Sequence, residues 1–288
     1  MKTRVITGSA YTLLAVAALL LMHTPMMLCL VIAFSVLAAH EICHAAQMKN
    51  RAMTAVAMAA AALTPLFLDW PFPFAQPRLP VYPLLLGYFL LLLALMLARF
   101  EITRFSHVLY ALLASLGVPA ALTTITLLRG IAAEKNLAAW FIFFVLCAAW
   151  LTDALALFAG VKFGKHKMAP KVSPKKTWEG AIGGLAGVTL VNVGFALLFN
   201  RFFLEQHRLS LIAVCALSLA VGAVSMVGDL AASALKRNYG VKDFGKFFPG
   251  HGGVMDRFDS LLLAAPFFYA LLQLEQSLGL HLIYRVVA

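Results

Sequence analysis

The chain has 288 residues, of which 62% are hydrophobic and only 12% are charged, and its mean hydropathy is +0.90. A soluble domain of this length could not bury so much apolar surface, so the composition excludes a water-soluble enzyme or binding module. The net charge of +11 suits a protein that lies beside anionic lipid headgroups or handles a polyanionic substrate, and by itself it does not indicate nucleic acid. We therefore predict an all-α, polytopic integral membrane protein.

Apolar runs long enough to cross a bilayer, which takes about 20 residues, recur along the whole chain. No polar linker separates them, so we predict a single membrane domain over 1–288, with N-terminal helices in 1–130 and the helices and loops of the candidate site in 137–277. The start of the chain lacks a small-residue cleavage site and is interpreted as the first span. We predict about nine spans, at Val5–Met22, Pro25–Ala45, Ala52–Leu68, Val81–Ala98, Val108–Leu128, Leu137–Val161, Ala181–Phe199, Leu209–Leu235 and Leu261–Leu274.

Lys and Arg are distributed unevenly between the predicted spans. If the N-terminus is cytoplasmic, most of the 23 basic residues lie on that side, including a lysine-rich loop after Lys162 and a polar segment after Ser233. Cytoplasmic loops of membrane proteins carry an excess of Lys and Arg. We therefore expect the N-terminus and both polar loops to face the cytoplasm.

One short motif in the second predicted span favours a different function. His40, Glu41 and His44 fit H-E-x-x-H, a spacing that places two imidazoles on one helix face around zinc, with a glutamate as the base. A zinc protease also needs a third ligand, and Asp69 lacks the glycine-flanked setting that such proteases use. We interpret the motif as the polar end of a membrane helix and expect the substitution Glu41→Gln to have little effect.

Two polar features follow in the second half of the chain. Asp153 lies in an apolar run, where a carboxylate is costly and typically faces a polar cavity. The next loop concentrates lysines between Lys162 and Lys176, and such a run often only anchors lipid headgroups. Here, however, Ser173 and Thr177 precede a Gly-rich helix, so hydroxyl, ammonium and N–H groups could converge on phosphate. Close helix packing is predicted at the glycines of that helix, Gly180, Gly183, Gly184 and Gly187.

The stretch Ser233–Asp259 holds eight of the chain's 35 formally charged residues and lies between two apolar runs. Asp229 lies one helical turn before its first residue, on the same helix face. Gly252 and Gly253 suit a tight backbone that approaches a ligand closely. The acids at its end open the next helix and complement its N-terminus. Acids that hold Mg²⁺ can recruit a nucleotide while Lys and Arg neutralise its remaining charge, so the combination indicates a phosphoryl or nucleotidyl transferase.

These residues resemble the phosphatidate cytidylyltransferases, also called CDP-diacylglycerol synthases. The segment SALKRNYGVKDFGKFFPGHGGVMDRFD at Ser233–Asp259 is similar to the signature of that family, and SPKKTWEG at Ser173–Gly180 is similar to a second family block. Asp153 and the F-x-G at Phe158 agree as well. Leu157 stands where the family usually has an aromatic residue. The first half of the chain agrees with the family only in hydropathy and in an acid near Glu41.

The resemblance implies transfer of the cytidylyl group of CTP to phosphatidic acid, giving CDP-diacylglycerol and pyrophosphate by metal-assisted in-line attack of the lipid phosphate on the α-phosphorus. It assigns the divalent metal to Asp229 and Asp256. The catalytic positions that it implies are Asp229, Asp256, Lys236, Arg237, Lys242, His251 and Arg257. The positions that it assigns to substrate binding are Ser173, Lys175, Lys176, Thr177, Ser233, Asp243, Gly252, Gly253, Asp259 and Asp153.

The resemblance also implies Mg²⁺ as cofactor and leaves a second, monovalent cation and a homodimer open. The expected partners are CTP, phosphatidic acid and membrane lipids, without nucleic acid, in a bacterial-type plasma membrane. A transporter remains an alternative, but it would be expected to show repeated halves with broken helices, and the sequence has no internal repeat. CTP-dependent lipid-alcohol kinases are the nearest similar enzymes, and the full PGHGGVMDRFD block argues against them.

Overall fold

The computed structural model describes residues 23–70, 80–132, 134–205, 207–248, 252–280 and 282–286. Within these ranges the protein is mostly helical. The helices are α1 (Pro25–Ala45), α2 (Arg51–Leu68), α3 (Val81–Ala98), α4 (Phe105–Ile131), α5 (Lys135–Phe163), α6 (Trp178–Phe202), α7 (Leu211–Asn238), α8 (Met255–Phe258) and α9 (Leu261–Ser277). The strands are β1 (Lys167–Ala169), β2 (Ser173–Thr177), β3 (His207–Leu209) and β4 (Tyr284–Val286).

In the described part of the chain, seven helices, α1 to α7, are long and apolar enough to cross a membrane. This agrees with the composition, and the protein is an integral membrane protein. Helix α9 occupies the place of the last predicted span and has 17 residues. The first predicted span, Val5–Met22, lies outside the described residues. The prediction of nine spans therefore stays a prediction. The prediction of a single membrane domain over 1–288 stays one as well.

The described residues also form four short strands, which the sequence did not predict. Strand β1 pairs with β2 and β3 pairs with β4, both antiparallel. Backbone N–H and C=O groups need partners wherever the chain leaves a helix, and a short antiparallel ladder supplies them. In the loop after α5, this ladder turns the lysine-rich segment into a hairpin that leads directly into α6.

The structure divides into two compact units. The first takes in the described residues of Met1–Thr123 and Tyr239–Arg257, and the second those of Thr124–Asn238 and Phe258–Ala288. In the first unit α1 packs on α2, and a π-helical turn of α4 at Leu113–Gly117 packs against both. Polar groups fix this packing, since the Tyr88 hydroxyl donates to Ser115 Oγ at 2.7 Å and the Thr64 hydroxyl donates to the Ser115 carbonyl at 2.9 Å.

In the second unit α5 runs closely along α6, and α7 and α9 pack beside them. Trp140, Phe141, Phe144 and Phe268 form its buried aromatic core. The predicted packing role of the α6 glycines is confirmed. A Cβ on Gly184, for example, would lie 2.7 Å from the Thr152 carbonyl oxygen and 2.8 Å from the Ala156 Cβ. The short distance between α5 and α6 places Asp153 beside the start of α6.

Two glycines of α6 give a matched test of this packing. We expect Gly184→Ala to lower the free energy of unfolding by about 1–3 kcal/mol, because the added methyl overlaps α5. Gly194→Ala, with nothing within 4 Å of the new methyl, should be neutral or stabilising by up to about 1 kcal/mol, because Ala favours helix. Unfolding of the detergent-solubilised protein measures both, and equal destabilisation by the two variants would contradict the packing.

Candidate functional site

A cavity of about 250 Å³ lies in the second unit, between α5, the β1–β2 hairpin, α6 and α7. Ala156, Leu157, Met168, Ala181 and Met226 form its less polar walls. Its polar lining consists of residues that the sequence assigned to ligand binding, namely Asp153, Ser173, Lys175, Lys176, Thr177 and Asp229. Segments that are far apart in sequence thus meet around one cavity.

Lys176 links the two acids of this cavity. Its ammonium nitrogen lies 2.5 Å from Asp229 Oδ2 and 3.9 Å from Asp153 Oδ1. The three side chains are only partly exposed, so their charges are less screened than on an open surface. Two carboxylates on neighbouring helices would repel each other, and the ammonium offsets that repulsion. The cavity wall therefore carries acids that already attract a cation.

A second ion pair lies in the same unit, between Lys236 and Asp259. Lys236 Nζ is 3.9 Å from Asp259 Oδ2, and both side chains are about nine-tenths buried. Burial raises the pKa of Asp259, the nearby Asp229 carboxylate raises it further, and Lys236 acts in the opposite direction. The resemblance implies a catalytic role for Lys236, and in the structure its charge faces an acid of the protein.

The end of α7 is tied to the hairpin. The Ser233 hydroxyl donates to Asp229 Oδ1 at 3.5 Å, which confirms the predicted proximity of these two residues. Arg237 Nε donates to the carbonyl oxygen of Val172, in the turn between β1 and β2, at 3.4 Å. The second family block and the start of the signature segment are therefore neighbours within the second unit.

The start of α6 uses two side chains to fix the hairpin. Thr177 Oγ1 accepts the N–H of Gly180 at 3.1 Å, so this hydroxyl caps the helix while it lines the cavity. Glu179 accepts the backbone N–H groups of Lys165 and His166 and lies 2.6 Å from the His166 ring. Glu179 was not among the predicted site residues, although it lies within the SPKKTWEG block and is an acid in the first turn of a helix.

The described residues of 239–257, in the middle of the signature segment, belong to the first unit. Lys242 and Asp243 are exposed there, and Arg257 is partly buried. Asp256 Oδ2 accepts the backbone N–H groups of Phe244 at 2.8 Å and of Gly253 at 3.0 Å. Gly252 has φ +84°, and a Cβ on it would lie 2.8 Å from the same carboxylate oxygen. His251 lies outside the described residues.

Glu41 also contacts this segment, and the sequence did not predict this contact. Its side chain is buried on α1, and its two oxygens accept the N–H groups of Val254 and Met255 at 2.9 and 2.8 Å. The sequence led us to expect little effect of Glu41→Gln on activity, but these two buried hydrogen bonds argue for a larger effect. His40 and His44 are exposed, and the described residues contain no group of three or more His, Cys, Asp or Glu side chains arranged to hold a metal. The structure thus gives no support to the zinc-protease alternative.

The donor set of this chain fits Mg²⁺. Mg²⁺ in phosphate-handling sites is held by one or two carboxylates together with substrate phosphates and water, so a cluster of three protein ligands is not required. In the cavity the oxygens of Asp229 and Asp153 already contact a cationic group, the Lys176 ammonium. Of the two acids assigned to the metal, Asp229 belongs to the second unit and Asp256 to the first.

Seven helices of the described residues, long and apolar enough to span a membrane, together with a cavity lined by acids and lysines, define an integral membrane protein with a polar site among its helices. Residues 2–275 match the family model described as Cytidylyltransferase family, and the chain belongs to that family.

Its relatives include the phosphatidate cytidylyltransferase of Haemophilus influenzae, 45% identical over 125 residues, which are 43% of each chain. That of Thermotoga maritima is 40% identical over 133 residues, 46% of this chain and 49% of the relative. That of Rickettsia felis is 35% identical over 180 residues, 62% of this chain and 77% of the relative. The chain spans about half the length or less of the first two relatives.

The ion pairs of the cavity can be tested without any substrate. We expect Lys176→Met to lower the free energy of unfolding by roughly 1–3 kcal/mol, because Asp153 and Asp229 lose their shared counter-ion while partly buried. Adding Asp153→Asn should restore part of that loss, because it removes one of two like charges. Lys171→Met, at an exposed position of the same hairpin, should change it by less than about 0.5 kcal/mol.

Unfolding in detergent with a chelator present measures all of these variants. A double variant no more stable than Lys176→Met alone would contradict the proposed compensation.

Proposed function

We propose that the chain transfers the cytidylyl group of CTP to phosphatidic acid, giving CDP-diacylglycerol and pyrophosphate. The observation that carries the proposal is the cavity of the second unit, whose polar lining consists of residues that the sequence resemblance assigned to the metal or to substrate binding. Membership in the cytidylyltransferase family and the names of the similar relatives support it.

Both substrates are phosphate anions, so the protein must bring two like charges together. The lipid phosphate would attack the α-phosphorus of CTP in line, and pyrophosphate would leave on the opposite side. Such a reaction needs positioned reactants and neutralised charge more than it needs covalent help from the protein. The candidates for this role in the cavity are Lys175 and Lys176, with the hydroxyl of Ser173.

The lysine ion pairs suit such a site because their ammonium groups have alternative partners. Lys176 contacts Asp229 and Asp153, and an entering phosphate would compete with these carboxylates for the ammonium. Lys236 is paired with Asp259 in the same way. Lysine is a point charge on a flexible stem, so its ammonium group can turn from a carboxylate to a phosphate.

Mg²⁺ is the proposed cofactor, and the resemblance leaves open whether a second, monovalent cation also binds. When bound, Mg²⁺ neutralises charge on the nucleotide phosphates and on the leaving pyrophosphate. Asp229 and Asp256 are the residues that would hold it, an assignment that rests on the sequence resemblance. Lys242, His251 and Arg257 are proposed from the same resemblance to contact phosphate, with Asp243 in support.

The cellular setting follows from the charge pattern of the sequence. We propose a bacterial-type plasma membrane, with the N-terminus and the active site facing the cytoplasm, because most Lys and Arg residues fall on that side of the predicted spans. A homodimer is a further proposal that rests on resemblance alone.

The reaction itself can be tested directly. With CTP and Mg²⁺, the purified protein in detergent should form CDP-diacylglycerol when phosphatidic acid is supplied and none when it is withheld, as followed by mass spectrometry of the lipid fraction. Diacylglycerol offered in place of phosphatidic acid should give no product. Absence of product with phosphatidic acid, or a phosphorylated product from diacylglycerol, would contradict the proposal.

If Asp256 holds the metal, removing the negative charge of its side chain should lower turnover. Asp256→Asn keeps the size of the side chain and an oxygen for hydrogen bonding, but it removes the negative charge. Turnover should fall by several orders of magnitude while the protein stays folded in detergent, because charge stabilisation by the metal is lost.

Lys165→Ala is the control for this variant. Its side chain is exposed and lies outside the SPKKT block, so we expect a much smaller loss of turnover. Near-normal turnover for Asp256→Asn together with inactivity of Lys165→Ala would overturn the metal assignment.

A further inference from the structure

The buried carboxylate of Glu41 lies inside the first unit, far along the sequence from the residues that it contacts. Its side chain is only 6% exposed. Oε1 accepts the N–H of Val254 at 2.9 Å, and Oε2 accepts the N–H of Met255 at 2.8 Å. Hydrogen bonds to an ionised acceptor are roughly twice as strong as those between neutral groups. Both oxygens of Glu41 are thus committed to the two residues that precede Asp256 and Arg257.

Gly245 and Gly253 leave the space that the Glu41 carboxylate occupies. A Cβ on Gly245 or on Gly253 would overlap the carboxylate of Glu41. Gly245 follows Phe244 in the K-D-F-G run, and Gly253 ends the G-H-G-G run, so two separate parts of the signature segment lie against the same carboxylate. Neither glycine has a positive φ in the structure, so close contact with Glu41, rather than an unusual backbone conformation, explains the missing side chains.

Asp256 completes the arrangement from within the segment. Its Oδ2 accepts the N–H groups of Phe244 and Gly253. Two carboxylates therefore take the N–H groups of four residues in the segment, and three of these residues, 253 to 255, are consecutive. Val254 and Met255 are buried, with 0% and 4% exposed, so no bulk water could replace Glu41 as their acceptor if the carboxylate were lost.

We propose that Glu41 is a positioning residue, which holds residues 253–255 so that Asp256 and Arg257 keep the orientation that cytidylyl transfer requires. This role for Glu41 in the reaction rests on the proposed function. The proposed role of Glu41 differs from that of the base in a zinc site, because His40 and His44 are exposed and take no part in these hydrogen bonds. Glu41 acts through the backbone of the segment and need not touch a substrate.

The test compares Glu41→Gln with His44→Gln, a neighbour on the same helix outside the proposed site. An amide in place of the carboxylate presents an NH₂ group to one of the two N–H donors, so one hydrogen bond is lost. Hydrogen–deuterium exchange of the peptide that covers residues 252–258 should then quicken in Glu41→Gln and stay as in the wild type in His44→Gln. This readout needs no enzymatic activity.

The second readout is the Mg²⁺ concentration that gives half-maximal CTP-dependent lipid product. We expect Glu41→Gln to raise it about 10–100-fold, the usual effect of removing a group that orients a metal-binding side chain. His44→Gln should leave it unchanged. A general loss of folded protein would instead lower the amount of active enzyme without shifting the Mg²⁺ dependence.

Gly245→Ala gives an independent check if Glu41→Gln fails to fold. Its added methyl overlaps the same carboxylate, so it should quicken exchange in residues 252–258 and raise the Mg²⁺ requirement in the same direction. Wild-type exchange and wild-type Mg²⁺ dependence in either folded variant would overturn the proposal. If the wild type forms no lipid product from CTP, the proposed function fails, and the exchange comparison alone decides whether Glu41 holds the segment.

Discussion

A carboxylate that is removed from water needs a partner, and this requirement shapes the polar residues of both units. An unpaired buried charge costs several kcal/mol even after the protein relaxes around it. In the second unit, Asp229 and Asp259 are paired with Lys176 and Lys236. In the first, Glu41 and Asp256 take backbone N–H groups instead. Charges that the membrane would otherwise disfavour are thereby retained inside the protein.

The two kinds of partner have different consequences. A backbone N–H group cannot move without the chain, so the contacts of Glu41 and Asp256 fix the shape of the signature segment. A lysine ammonium can leave one anion for another, so the pairs of the second unit could exchange partners if the proposed phosphate substrates entered the cavity. The proposed transferase would need both properties, a fixed frame and cations that are ready for polyanionic substrates.

The sequence predicted the helices well because hydropathy reports them directly. The bounds of α1 and α3, Pro25–Ala45 and Val81–Ala98, agree with the predicted spans, and the glycines of α6 pack as expected. The cavity also gathers Asp153, Lys176 and Asp229, which the sequence had singled out separately.

Other features depend on contacts that no local pattern encodes. Glu41 and Val254 are 213 positions apart, and the H-E-x-x-H spacing around Glu41 pointed to zinc instead. The β1–β2 hairpin was missed because its strands are short and rich in lysine, so no alternation of apolar and polar residues marked them. Glu179 was missed for a similar reason, since its partners are backbone groups of the preceding loop.

The central claim is that this chain joins the α-phosphate of CTP to a lipid phosphate. The most direct measurement supplies CTP radiolabelled either at the α-phosphate or at the γ-phosphate, together with phosphatidic acid and Mg²⁺, and follows the label into lipid. Cytidylyl transfer predicts that the α-label enters the lipid fraction while the γ-label leaves in pyrophosphate. Lipid that carries the γ-label and not the α-label would show a phosphoryl transfer and would contradict the account.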